Sequence, residues 1–370
     1  MAESGDSVYR PLSPAERKKK QSLFETPVRH AAITPELTVA DLVEQMQGMS
    51  VQARNIGLCA NVLKRMLADP DRPTVLLGLA GPLVAAGLRK VIRDLVAGGV
   101  VDVVVSTGAI FYQDIYQARG FRHYQGSIDA DDTELRDLYI DRIYDTYVDE
   151  EKFWDTDIWC GRLADKLKPG VHSSRDYLDH IGSQLEDDES IVRTCHKLGV
   201  PMFAPAINDS SIGIGLTEHH HRRVKEGLAP LSIDSIRDNY ELTQIVVKSK
   251  KTAAIYIAGG VPKNYINDSI VMSYIFGLER GHTYAIQVTT AVTQDGGLSG
   301  STLSEARSWG KIKKDADFAM AWVEPSVSLP LLASYVTGRG LAKGRPRLKF
   351  TWDGEILKDL SVAKEKVRAK

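Results

Sequence analysis

Two apolar runs separated by a helix-length segment most restrict what this chain can fold into. Pro73-Thr-Val-Leu-Leu-Gly-Leu-Ala-Gly81 reads as a buried strand opening into a turn, and Val100-Val-Asp-Val-Val-Val105 reads as a second, ending at Ser106-Thr107-Gly108. Between them Pro82 suits the first turn of a helix running from about Leu83 to Val96, which Gly98-Gly99 ends. Strand, turn, helix and strand in that order are the signature of a parallel sheet, so the fold class is α/β. Further strands are expected over Pro201 to Ala206, Ala253 to Ala258, Tyr284 to Val288 and Ala319 to Val323. Helices are expected from about Asn264 and over Leu329 to Tyr335.

Upstream, apolar residues from Thr38 to Ala68 recur at helical spacing, with Thr38 as a cap, Asp41 in the first turn and Gly48 separating two segments. The spacing predicts three regions. Residues 1–35 form a polar, mobile arm carrying Glu16-Arg-Lys-Lys-Lys20, residues 36–340 form a single domain, and residues 341–370 form a basic, peripheral tail. Residues 120 to 200 are charged and read as mostly helical.

A formal net charge of −1 argues against a protein that coats nucleic acid. No apolar run reaches the ~18 residues needed to span a bilayer, and a signal-peptide core is not evident, so no membrane role is expected. Cys59, Cys160 and Cys195 are odd in number and far apart, which fits reduced thiols in a cytoplasmic protein. His219-His-His221 resembles a metal site, but consecutive helical residues point in different directions, so a surface helix is expected and no metal.

In α/β sheets, phosphate-bearing ligands bind beyond the carboxyl ends of the strands. Gly81 and Thr107-Gly108 stand at two such ends, and Gly259-Gly260 at a third, yet no Gly-x-Gly-x-x-Gly follows the first two strands. The chemistry-bearing stretch lies further on: Ser299-Gly-Ser-Thr-Leu-Ser-Glu305-Ala-Arg-Ser-Trp309-Gly-Lys311. A lysine drawn out of water against an indole has its charged form disfavoured, and its free amine can attack a carbonyl or imine carbon. The ordinary alternative for Lys311 is a solvated surface lysine.

The blocks Pro201-Met-Phe-Ala-Pro-Ala-Ile-Asn-Asp209, Gly259-Gly-Val-Pro-Lys263, Thr290-Ala291, Asp295-Gly296, Glu305-Ala-Arg-Ser-Trp-Gly-Lys311 and Ser328-Leu-Pro-Leu-Leu332 together resemble the deoxyhypusine synthase family. The resemblance implies a Rossmann-like doubly wound sheet, NAD as cofactor, and a homotetramer with active sites at subunit interfaces. It also implies an imine intermediate on Lys311. In that family a carbon beside the secondary amine of spermidine is oxidised, and the lysine captures the imine and releases diaminopropane. An acceptor amine then displaces the lysine. The acceptor is a protein lysine in deoxyhypusine synthase itself and putrescine in the enzymes that make homospermidine.

Carried over residue by residue, the resemblance assigns Gly81, Thr107, Gly108, Asp209, Gly259, Thr290, Ala291 and Glu324 to the cofactor. It assigns Gln113, Asn264, Asp295, Gly296, Glu305 and Trp309 to the substrate. Gly81-Pro82 replaces the family's Ser-Asn, and Glu324 replaces an Asp. The family's polyamine-binding carboxylates are replaced by Tyr112, Gln113, Ile214 and Leu298, and its histidine by Asn264, with Asp268 at an Asn position. Charge-assisted contacts of this kind contribute about 1.5–3 kcal/mol each, so a different donor or acceptor is expected. The leading expectation is an NAD-dependent aminobutyl transferase passing its group to a small amine such as putrescine. A true deoxyhypusine synthase acting on a protein lysine and a non-catalytic, NAD-binding regulatory relative are the alternatives.

Overall fold

The computed structural model describes residues 9–363; the outer ends of the expected arm (1–8) and tail (364–370) lie outside the described residues. Six parallel strands form the central sheet: β1 (Thr74–Leu79), β2 (Val103–Ser106), β3 (Met202–Phe203), β4 (Thr252–Ile257), β5 (His282–Val288) and β6 (Ile312–Ala321). Their spatial order is β3-β2-β1-β4-β5-β6, the doubly wound order, which places the reversal between β1 and β4. The fold class expected from the sequence is the one found.

The strands are buried on both faces. Val75, Leu77 and Leu79 face one core with Ile255 and Ile257, while Leu76 faces a second with Ala254 and Tyr256. Period-two alternation therefore runs apolar on either side, as a sheet covered by helices requires. Helices Val51–Ala68, Arg89–Ala97 and Pro325–Gly338 supply residues to the first core, and Ser235–Lys248 and Gly260–Ile275 supply residues to the second. Thr38 caps Val39–Met46 in a reciprocal box with Asp41, as its position predicts.

Four expectations need correction. The helix after β1 begins at Arg89 rather than near Leu83. Residues 82–87 form turns instead, because Gly87 takes φ +86°, and buried Leu83 and Val84 mimic helical periodicity from within those turns. The charged stretch from 120 to 200 is not only helical, since Tyr124–Gln125, Ile140–Ile143 and Thr146–Asp149 form a small antiparallel sheet. The triplet helix, Ser211–Lys225, is not purely superficial: His219 is buried, hydrogen-bonded to Asp165 and accepting from the Leu231 N–H.

The basic tail is also not peripheral. Strands Leu348–Asp353 and Ile356–Val362 form a hairpin with Leu357 buried in the second core. Arg345 is buried on Asp102, which also takes a bidentate pair from Arg72 at 2.7 Å and accepts from the Val75 N–H at 2.9 Å. At the other end, helix Pro14–Ser22 of the arm buries no residue.

A buried acid gives the fold a pH dependence. Asp238, fully buried on helix Ser235–Lys248, accepts from the Ser174 N–H at 2.8 Å. Burial pushes its carboxyl up to about 7, against the lowering effect of the Ser174 hydrogen bonds. The folded state thus holds a proton that the unfolded chain releases near its ordinary value of ~4. This contribution to stability is complete below that value and is lost as pH rises through about 7. Asp238→Asn is expected to flatten the decline in urea midpoint between pH 4.5 and 7.5 (roughly the window between the two values).

Candidate active site

Lys311 is fixed by its backbone before its side chain does anything. Thr302 caps helix Leu303–Ser308 in a reciprocal box with Glu305, and Trp309 ends that helix. Gly310 then turns the chain at φ +70°, packed so closely on Tyr274 that a Cβ would lie 2.8 Å from its hydroxyl. Lys311 follows with its N–H on the Ala306 carbonyl and its own carbonyl accepting from His282, one residue before β6 begins.

The side chain crosses to helix Gly260–Ile275. Its Nζ lies 3.2 Å from Asn264 Oδ1, 3.6 Å from Asp268 Oδ1 and 5.4 Å from the centre of the Trp309 indole. Asn264 and Asp268 are four residues apart on one helical face, and Asn264 Nδ2 donates to Asp268 Oδ2 at 2.9 Å. Burial pushes the Asp268 carboxyl above the usual carboxylate range, and the Lys311 ammonium partly offsets this. The Lys311 side chain is only 15% exposed, whereas Trp309 is 66% exposed. The arrangement is a largely buried amine with a carboxyl group beside it to exchange protons and an exposed indole next to it.

A second lysine lies behind the first. Lys263 is buried and donates to Ser301 O at 2.6 Å, Ser301 Oγ at 3.0 Å and Leu298 O at 3.2 Å. Desolvation brings its amine down to about 8, with Glu305 opposing the shift and Lys311 adding to it. Buried Gln287 ties the same loop to the sheet, donating to Ser299 O at 2.9 Å and Ala258 O at 2.8 Å. Sequence reasoning assigned Lys263, Asp268 and Gln287 to neither cofactor nor substrate, although Lys263 closes a block of the resemblance and Asp268 stands at a family Asn position. The glutamine was detectable as a lone amide within an apolar strand, and the other two by their spacing from Asn264.

The expected cofactor residues line one sheet edge. Gly81 follows β1, Thr107 and Gly108 follow β2, Asp209 follows β3, Gly259 follows β4, Thr290 and Ala291 follow β5, and Glu324 follows β6. Helices Gly108–Ala118, Ser211–Lys225 and Gly260–Ile275 begin here, and none of the three has a side-chain cap bond. Uncapped helix starts of this kind are, in general, where backbone N–H groups can receive an anion such as a diphosphate. Gly259 has no room for a side chain, since a Cβ would sit 2.7 Å from Ser299 Cα, and the Gly260 N–H donates to Ser299 Oγ. Glu324 caps helix Pro325–Gly338 through the Ser326 N–H at 2.8 Å.

Of the expected substrate residues, Asn264, Glu305 and Trp309 come together around the two lysines. Asp295 lies in an exposed turn, accepting from the Gly297 N–H at 2.7 Å, with Gly296 at φ +69°. Gln113 is not part of the cluster; it is buried and accepts from the Ala85 N–H, propping the turn after β1. Tyr112 is buried too, donating to the Phe153 carbonyl at 2.7 Å.

A family model described as deoxyhypusine synthase matches residues 41–336, which takes in the whole sheet and both lysines. The chain belongs to the deoxyhypusine synthase family. It is therefore a transferase by class. A deoxyhypusine synthase-like protein of Chlorobaculum parvum is 42% identical over 339 residues, covering 90% of this chain and 95% of that one. One from Coxiella burnetii is 42% identical over 333 residues, covering 88% and 93%. A solved structure from Entamoeba histolytica, assigned as a deoxyhypusine synthase, superposes with a TM-score of 0.57 at 16% identity, covering 84% of this chain and 97% of that chain, and supports the fold. Among the described residues, no helix is long and apolar enough to cross a membrane.

Proposed function

We propose that this member of the deoxyhypusine synthase family is an NAD-dependent aminoalkyl transferase that carries an aminobutyl group as an imine on Lys311. The carrying observation is the Lys311 amine, held by Asn264 and Asp268 and lying 5.4 Å from the centre of the Trp309 indole. NAD bound at the carboxyl ends of the strands would supply a hydride acceptor for the donor amine and a hydride donor for the product imine, which would make the overall transfer redox-neutral. Lys311 attacks the substrate imine carbon, the departing amine leaves, and an acceptor amine later displaces the lysine in the same way. Asp268 is placed to take and return the proton that Lys311 must lose before each attack. The uncapped helix ends and crowded Gly259 support the cofactor reading.

The donor and acceptor are small amines. This is supported by what stands where family members hold a polycation: Tyr112 and Gln113 are buried and engaged elsewhere, and Ile214 and Leu298 are exposed apolar residues. Putrescine fits as acceptor, giving homospermidine. Exposed Val261, Leu298 and Trp309 support a homotetramer in which a neighbour covers the site.

The test is to incubate the protein with NAD and putrescine, spermidine, agmatine or homospermidine, trap with borohydride and map the adduct by mass. A mass increase matching an aminobutyl group on one peptide is expected with at least one amine. No adduct with any amine, despite measurable NAD binding, would remove the transferase reading.

A further inference from the structure

Past helix Pro14–Ser22 the arm is tied down. Residues 27–34 take no regular structure, yet the Arg29 N–H donates to the Gly48 carbonyl at 2.7 Å and the Ala32 N–H to Gln45 Oε1 at 2.9 Å. These bonds hold the segment against the end of helix Val39–Met46. A cleft of about 540 Å³ lies where the two meet and reaches Arg339, just past helix Pro325–Gly338. Its lining is polar or glycine throughout. A cleft of that size takes a small metabolite, and this lining favours one with little apolar surface.

Two charged groups in the cleft are held in place but unpaired. The Arg29 stem lies on Gly48, where a Cβ would sit 3.0 Å from Arg29 Cβ and Cδ. Its guanidinium makes no hydrogen bond or ion pair among the described residues, its one bond being through the backbone. In the same cleft Arg339 Nη2 holds Asp41 Oδ1 at 2.7 Å and Glu44 Oε2 at 2.5 Å. Asp41 is fully engaged, because its other oxygen accepts from the Thr38 N–H and hydroxyl. Glu44 has no such second partner among the described residues, so its Oε1 is open. A free guanidinium fork and a free carboxylate oxygen thus line one cleft without pairing with each other. A ligand that carries both charges bridges them.

We propose that this cleft binds a free α-amino acid with a polar side chain, its carboxylate on the Arg29 guanidinium and its ammonium on Glu44. The fork matches a carboxylate through two parallel hydrogen bonds, and Arg339 keeps Glu44 turned into the cleft. The site stands apart from the catalytic one. Helix Pro325–Gly338 starts at Glu324 on the sheet edge, and its 14 residues put Arg339 about 21 Å away. The assignment is independent of the amine-transfer reading.

The test is calorimetry on the full-length protein, without NAD, using L-ornithine, L-glutamine and L-glutamate as probes. Each has a control that lacks one charge. Putrescine and 4-aminobutanamide are ornithine and glutamine without the carboxylate, and glutarate is glutamate without the ammonium. At least one amino acid is expected to bind, with its control at least about tenfold weaker. Arg29→Gln and Glu44→Gln should each weaken that binding about tenfold. Both residues are at the surface, so the variants should melt with the wild type, and weaker binding then reports the lost contact. No binding by any of the three amino acids overturns the assignment. So does a control that binds as tightly as its amino acid, or an affinity that Arg29→Gln leaves unchanged.

Discussion

Replacing Lys311 with alanine is expected to abolish the borohydride-trapped adduct and to lower turnover at least about a thousandfold, because a covalent route has no substitute nucleophile. Two lysines compete for that role on chemical grounds. Lys263 has the amine brought down to about 8, which would favour attack. It is nevertheless sealed at 1% exposure, with three oxygens on its Nζ, so a substrate carbon cannot reach it. Lys311 has one close amide partner and a carboxyl at 3.6 Å, and its side chain keeps 15% exposure beside the exposed Trp309. Lys311→Arg keeps the charge opposite Asp268 but has no free amine, so it should be as inactive as alanine. NAD affinity should stay within about twofold in both variants, since the helix ends that face the sheet edge do not involve Lys311. An adduct that survives in Lys311→Ala would move the nucleophile to Lys263.

Asp102→Ala should destabilise the fold by about 3–5 kcal/mol, read as a fall in urea midpoint. The carboxylate, 5% exposed, is shared by Arg72 and Arg345, and it also accepts from the Val75 N–H inside β1. Its removal strands two guanidinium groups and a strand N–H in the interior. Burial already disfavours the charged form of Arg345, and Asp102 is the main group that opposes this. A loss below about 1 kcal/mol would show that water reaches the site and that the clamp contributes little.

Features written in adjacent residues were legible in the sequence. The strand runs, the Thr38 box with Asp41, and the Glu305 to Lys311 block each depend on neighbours a few positions apart. The order of the strands was not legible, because Thr74 pairs with Thr252 and no local pattern encodes that. The 82–87 turns looked helical because burial of Leu83 and Val84 imposes the same apolar spacing as a helix face. The small sheet was hidden by its charged, half-exposed residues, which lack the apolar alternation of a core strand. Within the site, Lys311 was identified by its motif, but its pairing with Asp268 depends on a helix from another part of the chain. Arg345 looked like one more tail cation until Asp102 was found beneath it.

The pairing of β1 with β4 also sets the timetable on which the chain can mature. As synthesis proceeds at about 5–20 residues per second, β1 and β2 emerge on the order of 10 s before β4 can cover the open side of β1. For that interval a continuous apolar strand presents an unpaired edge, the template on which chains stick to one another. Production yield of this protein should therefore respond more to slowed initiation, lower temperature or holding chaperones than to any substitution on its finished surface.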